Sequence, residues 1–331
     1  MNIWPLPAIK LDSLSAVSET RPVALITTPD AWANVRRRLT LPLLIQAEPT
    51  QNSAELFNAL AEHLPSAVEV IYVVGDHPTP LNAAKFVASQ AKKPLVVVPT
   101  ALSDLEILTA EATVGGQMVS TGPATMVILD LEWIGQAPPT SRAAAIADII
   151  GIITALRDWG YAAQHNKLTP TTKFNAWAAS VAANAAQQGV KIAPALGKGD
   201  PDALRALIDL MCITAQIDNL LGHRRATRGA EYQFAEAVAL QPGAATVPHA
   251  ERLAAGILVA SALLKLDVAP MRAALEGAGL RVTSIRADAA RATLNALPDY
   301  VFRQAAPYGV LNDLKPNSDE IAMAIANSTL A

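Results

Sequence analysis

Strand-length apolar runs alternating with helical stretches constrain the first 139 residues more than any other feature of this chain. The runs are 23–27 (VALIT), 43–46 (LLIQ), 68–74 (VEVIYVV), 94–98 (PLVVV) and 125–129 (TMVIL). Their β-branched content suits strands buried on both faces. Between them, residues 54–63 and 81–91 place apolar side chains at helical spacing. Strand, helix and strand in repetition imply parallel strands, because a parallel return needs a crossover segment. The expected N-terminal half is an α/β domain with a Rossmann-like parallel sheet covered by helices.

The pattern changes at Ala137-Pro138-Pro139-Thr140, where two prolines stop a helix and mark a boundary. The expected domains are residues 1–139 and 140–331. Ser141 is placed to cap the helix that follows. From there the apolar residues keep helical spacing, with helices expected at 142–164, 173–188, 202–221, 230–240, 248–264, 269–278 and 286–297. Gly189 and Gly222 fall where helices should end. The second domain is therefore read as all-α, and a cleft between the domains is the default site.

Composition narrows the function classes. A chain that is 51% hydrophobic and 17% charged can build large cores, and a net charge of −3 gives no electrostatic reason to expect nucleic acid. Cys212 is the single cysteine, which excludes an intrachain disulfide and fits a reducing compartment. The start, MNIWPLPAIK, lacks the basic opening and continuous apolar stretch of a signal peptide. The apolar run at 253–264 is too short to span a bilayer and ends at Lys265. A soluble cytoplasmic protein without a membrane partner is expected, and helical packing leaves room for a homodimer.

Three groups of residues carry chemistry. Asp148 lies inside AAAIADIIGII, apolar on nearly every helical face. A carboxylate there needs a partner, whether an arginine, a helix end or a metal. His249 follows Pro248 at a helix start, where proline is favoured and an exposed histidine is ordinary. His223, Arg224, Arg225 and Arg228 form a basic cluster between two helices, suited to a phosphate or carboxylate or to ion pairs with acidic helices.

Four segments carry a resemblance. They are APPTSRAAAIADIIGIITALRDW (137–159), GHRRATRGAEYQF (222–234), PHAERLAAG (248–256) and YGVLNDL (308–314). In this order and spacing the chain resembles the glycerol-1-phosphate dehydrogenases. These belong to the superfamily of iron-containing alcohol dehydrogenases, glycerol dehydrogenases and dehydroquinate synthases. The resemblance implies the dehydroquinate synthase-like fold, NAD(P) and Zn²⁺ or Fe²⁺ as cofactors, and a small polyol or polyol phosphate as substrate. It places Asp148, Tyr232 and His249 at the three metal positions and Arg225 and Asp104 at substrate or anion positions. It places Gly75, Asp76, His77, Asn82, Lys85, Thr100 and Ser103 at the cofactor. The metal, a Lewis acid, would hold the substrate hydroxyl and stabilise its alkoxide as hydride leaves.

The chain departs from the family pattern at both sites. Tyr232 stands where the family has a histidine, and a neutral phenol, with a pKa near ~10, is a poor ligand. Glu231, Glu251 and His223 are nearby replacements, none at the matched position. The family's glycine after the His249 position is Ala250. The glycine-rich cofactor turn becomes Gly75-Asp76-His77-Pro78, Asn82 replaces an aspartate, and Leu105 and Glu106 replace the Asp-Gly after Ser103. Three readings follow: a polyol or polyol-phosphate dehydrogenase, a catalytically silent homologue that binds a small anion or a partner, and altered lyase-type chemistry on the same fold.

Overall fold

A computed structural model of the chain describes residues 4–328. It divides into two compact units, Met1–Arg142 and Ala143–Ala331.

The first unit runs β1 (Ala8–Leu11), β2 (Val23–Thr27), α1 (Pro29–Val35), β3 (Leu43–Ala47), α2 (Ala54–Glu62), β4 (Val70–Val74), α3 (Pro78–Ala91) and β5 (Leu95–Val98). There follow β6 (Glu111–Val114), β7 (Gln117–Ser120), β8 (Met126–Leu129), α4 (Leu131–Gly135) and α5 (Pro139–Arg142). Six strands form one sheet in the order β1-β8-β5-β4-β2-β3, and β6 and β7 form a separate antiparallel hairpin. Every pairing in the large sheet is parallel. β2 has β3 on one side and β4 on the other, so the chain reverses its direction of winding there. Loops at such a reversal, beyond the carboxyl ends of the strands, are where open α/β sheets bind ligands.

β2 and β4 are buried along their whole length, in agreement with their continuous apolar sequences. The edges were harder to read. β1 is a four-residue strand of alternating exposure, and α1 holds only seven residues, so neither gave a periodic signal. The β6–β7 hairpin and the last helix were also missed. At the other edge, four of the five β3 residues are exposed, so helices do not cover the sheet throughout as expected.

The second unit is helical: α6 (Ile146–Gln164), α7 (Ala176–Gly197), α8 (Pro201–Leu221), α9 (Ala230–Val238), α10 (His249–Leu263), α11 (Ala269–Gly277), α12 (Ala287–Arg303) and α13 (Asp319–Ser328). No helix among the described residues is long and apolar enough to cross a membrane. Gly222 closes α8 in the left-handed conformation, as expected. Gly189 does not end a helix. It lies inside α7, where an added Cβ would come within 2.7 Å of Ile149 Cγ2, so it permits the close approach of α6 and α7. Ser141 does not cap α6. Its hydroxyl donates to the Pro138 carbonyl at 3.2 Å, and α6 begins after Ala145 without a side-chain cap. α12 runs on through Pro298 to Arg303, beyond the expected end at 297.

Gly256 fixes the crossing that matters most to the site. A Cβ on it would lie 2.4 Å from the Glu231 carbonyl oxygen, so α10 meets the backbone of α9 directly. Backbone cannot swing aside as a side chain can. Gly256→Ala is expected to destabilise the protein by about 1–3 kcal/mol or more through overpacking, measured by urea unfolding against wild type.

Candidate functional site

In the helical unit, Asp148, Tyr232 and His249 come together. Asp148 is buried in the first turn of α6, Tyr232 is buried in α9, and His249 opens α10 and is partly exposed. The Tyr232 hydroxyl donates a hydrogen bond to Asp148 Oδ1. The Tyr232 and His249 rings lie 5.9 Å apart. Arg228 places its guanidinium over the Tyr232 ring, 4.5 Å from the centroid.

This donor set does not suit Zn²⁺ or Fe²⁺. The phenol spends its proton on the one carboxylate that would anchor a metal, and Arg228 adds positive charge beside a side chain that would have to hold a dication. Among the described residues no group of three or more His, Cys, Asp or Glu is arranged to hold a metal ion. The nearby alternatives are engaged elsewhere. Glu251 is buried and accepts from Arg281 Nε at 2.9 Å and from the Ser284 hydroxyl. His223 Nδ1 accepts from the Arg225 amide at 3.2 Å, and its ring lies against Trp159.

Beneath this trio is a buried network that the sequence reading did not assemble. Arg225, expected to bind an anion, instead pairs with Asp158 (Nη1 to Oδ2, 3.4 Å) and donates to the Tyr308 carbonyl at 2.9 Å. Asp158 also accepts from the Val310 amide at 2.7 Å. Burial pushes the Asp158 carboxyl up, and Arg225 and Val310 oppose that shift. Glu231, fully buried, accepts from the Thr154 hydroxyl at 2.8 Å and the Gly229 amide at 2.6 Å. The signal for this network was present in Thr154 and Asp158 around Asp148 and in Glu231 beside Tyr232, but their mutual contacts are not local in sequence.

The cofactor candidates lie in the α/β unit, at the carboxyl ends of β4 and β5. Gly75 has φ +121°, and a Cβ there would sit 3.0 Å from the Ala31 Cβ, so glycine is required for the turn itself. Asp76 accepts from the Thr100 hydroxyl (3.2 Å) through its side chain and from the Ser103 hydroxyl (3.2 Å) through its carbonyl. His77 caps α3, its Nδ1 accepting from the Thr79 amide at 3.3 Å. Asn82 accepts from the Thr113 amide at 2.8 Å. Lys85 is buried and donates to the carbonyls of Glu106 and Glu111 and to the Thr109 hydroxyl. Asp104 caps the short turn after it by accepting from the Glu106 amide at 2.7 Å. Asp76, Thr100 and Ser103 are thus brought together, whereas Asn82, Lys85 and Asp104 brace β6 and its approach.

These residues do not form a pyrophosphate cradle. A helix N-terminus holds phosphate through its free first-turn amides. In α3, Pro78 and Pro80 carry no amide hydrogen, and the Thr79 amide between them is occupied by His77. A cavity of about 450 Å³ opens beside this turn, lined by Thr28, Asp30, Asn34, Asp76, Thr100 and Trp133 among others. Among the described residues that line it there is no lysine or arginine.

No family model matches the chain. It is 27% identical over 274 residues to a glycerol-1-phosphate dehydrogenase [NAD(P)+] of Hyperthermus butylicus, across 79% of this chain and 76% of that protein. It is 26% identical to the Pyrococcus furiosus protein of the same name, across 62% of this chain and 59% of that one, less than two thirds of its length. A probable glycerol dehydrogenase from Sinorhizobium meliloti has the same fold, with a TM-score of 0.71 at 13% identity over 99% of both chains. An iron-containing alcohol dehydrogenase from Corynebacterium glutamicum matches with a TM-score of 0.63 at 14% identity, over 99% of this chain and 96% of that one. The chain is a homologue of the glycerol-1-phosphate dehydrogenases with the glycerol dehydrogenase fold. Against these homologues, the resemblance to the glycerol-1-phosphate dehydrogenases and the α/β-plus-helical architecture stand as expected.

Glu231 gives the site a measurable pH signature. Its burial pushes the carboxyl up to about 7, against the bonds from Thr154 and Gly229. A glutamate in the unfolded chain titrates near ~4.3. The folded protein holds the proton more tightly, so this contribution is fully present below the unfolded value and is lost as pH rises through about 7. Glu231→Gln stays neutral and can keep both hydrogen bonds, because the Thr154 hydroxyl can accept as well as donate. Unfolding curves should show the variant gaining on wild type between about pH 5 and about pH 8, by on the order of 3 kcal/mol or less.

Proposed function

We propose that this chain keeps the fold of a polyol-phosphate dehydrogenase and does not perform metal-assisted hydride transfer, acting instead as a catalytically silent homologue. The observation that carries this reading is the hydrogen bond from the Tyr232 hydroxyl to Asp148. It satisfies the buried carboxylate internally, where the family chemistry needs that carboxylate turned to a dication. The amide-poor first turn of α3 supports the same reading at an independent site, since a dinucleotide would meet Asp76 and two prolines there. Two coincident changes are what a chain released from that reaction would accumulate.

The homologues' names favour a second reading, a dehydrogenase acting on glycerol 1-phosphate with NAD(P)⁺. The two separate cleanly. Protein purified without chelator is expected to contain no stoichiometric zinc or iron, and fluorescence titration with NADH or NADPH to show no saturable binding in the micromolar range. Stoichiometric metal together with micromolar cofactor affinity overturns the silent reading. Tyr232→His returns an imidazole beside Asp148 and His249. Calorimetry should then show a gain in Zn²⁺ affinity over wild type, and an unchanged titration would place the loss beyond this one residue.

A further inference from the structure

Tyr161 and Tyr308 are far apart in sequence and meet at the rim of the helical unit. Tyr161 lies near the end of α6, and Tyr308 in the loop after α12. Their rings are nearly parallel, with centroids 6.3 Å apart and planes 18° from each other. Both hydroxyls donate to one oxygen, Asp313 Oδ2, at 2.6 and 2.5 Å. His165 packs on Tyr161 with 4.1 Å between ring centroids, and the Lys167 ammonium lies over the Tyr308 ring at 5.6 Å. Both tyrosines are partly exposed and Asp313 is exposed, so the group is open to solvent.

A neutral phenol gives up an electron readily only where a base takes its proton. Asp313 is placed to do so for both rings. The hydrogen bonds from Tyr161 and Tyr308 hold its carboxyl below the usual carboxylate range, so it is ionised at neutral pH. The bond to Asp313 raises the Tyr308 phenol to about 12, and burial raises that of Tyr161, so neither is a phenolate there. The shared acceptor also brings together the ring edges that carry the hydroxyls, and a phenoxyl radical carries much of its spin on the carbons flanking that oxygen. Other tyrosines are placed differently. Tyr72 and Tyr232 are buried and donate to separate carboxylates, those of Glu19 and Asp148.

We propose that Tyr161 and Tyr308 form an oxidative modification site, joined as dityrosine by a one-electron oxidant, hydrogen peroxide activated by a haem peroxidase. Each phenol loses one electron to the oxidant and its hydroxyl proton to Asp313, which passes it to solvent. The two radicals couple through a carbon–carbon bond between ortho positions, and each ring regains aromaticity as the hydrogen on that carbon moves to its oxygen. Two electrons and two protons leave the protein and reduce one hydrogen peroxide to two waters. The new bond staples α6 to the loop whose carbonyl at Tyr308 holds Arg225, and it closes a long chain loop that restricts the unfolded state.

Treating the dilute full chain with a haem peroxidase and hydrogen peroxide tests this. The product should be a single chain lighter by two hydrogen atoms, with dityrosine fluorescence and a tryptic species joining residues 158–167 to 304–331. Its melting temperature should rise by on the order of 5 °C. Tyr161→Phe and Tyr308→Phe should each abolish the linkage, and Tyr300→Phe should leave it intact. Asp313→Asn keeps a carbonyl that accepts from the hydroxyls but is a poor base, so it should slow coupling by about tenfold or more. An unchanged mass, a linkage mapped to another pair, or coupling only between molecules overturns the proposal, as does an Asp313→Asn rate equal to wild type. Circular dichroism establishes that each variant is folded. Should a phenylalanine variant fail to fold, the peptide map of the wild type decides alone.

Discussion

The helical unit depends on keeping one buried ion pair intact. Arg225 and Asp158 are each almost fully buried, and neither tolerates isolation there, because a lone buried charge costs several kcal/mol. Their pairing ties the loop before α9 to the last third of α6, and the Tyr308 and Val310 backbone joins on the other side. Gly309 is part of the same clamp, since a Cβ there would run into the Asp158 carboxylate. The outer rim of this loop is held by Asp313, which accepts from both the Tyr161 and the Tyr308 hydroxyls at 2.6 and 2.5 Å. With α6 and α9 fixed by this clamp, and α10 set against α9 at Gly256, the meeting of Asp148, Tyr232 and His249 follows from the scaffold.

That scaffold is built from contacts within the protein around the Asp148 pocket. The frame rests on Arg225, Asp158, Glu231 and glycine contacts, none of which needs a dication. Asp148, buried, needs a partner there, and the Tyr232 phenol supplies a proton to it. Tyr232 also fills volume with an aromatic ring that Arg228 can cover. Tyr232 thus meets the electrostatic and packing demands of the pocket at once.

Much of this architecture was legible in the sequence, and the failures have physical causes. The central strands were readable because burial on both faces writes a continuous apolar run. β1 and α1 were not, because short edge elements lack a period. Gly189 looked like a helix stop, yet its cause is the crossing with Ile149, a contact forty residues away in sequence. At the site, the oddity of Tyr232 and of the turn after Gly75 was visible from residue identity alone. The role of Lys85 was not. Its ammonium is consumed by carbonyls near β6, a fact of tertiary geometry that local sequence does not record. Arg225 was likewise read as an anion contact because its partner, Asp158, lies 67 residues away.

The first turn of α3 also bears on the stability of the α/β unit. Pro78 and Pro80 narrow the conformations open to the unfolded segment, and His77 closes the remaining amide, so the same three residues that refuse a phosphate also hold the turn together. Prolines in compatible positions each stabilise by about 0.4–1 kcal/mol through the unfolded state. A glycine-rich replacement of the turn would forfeit that stability and the cap. Folding stability itself therefore favours this turn as it stands.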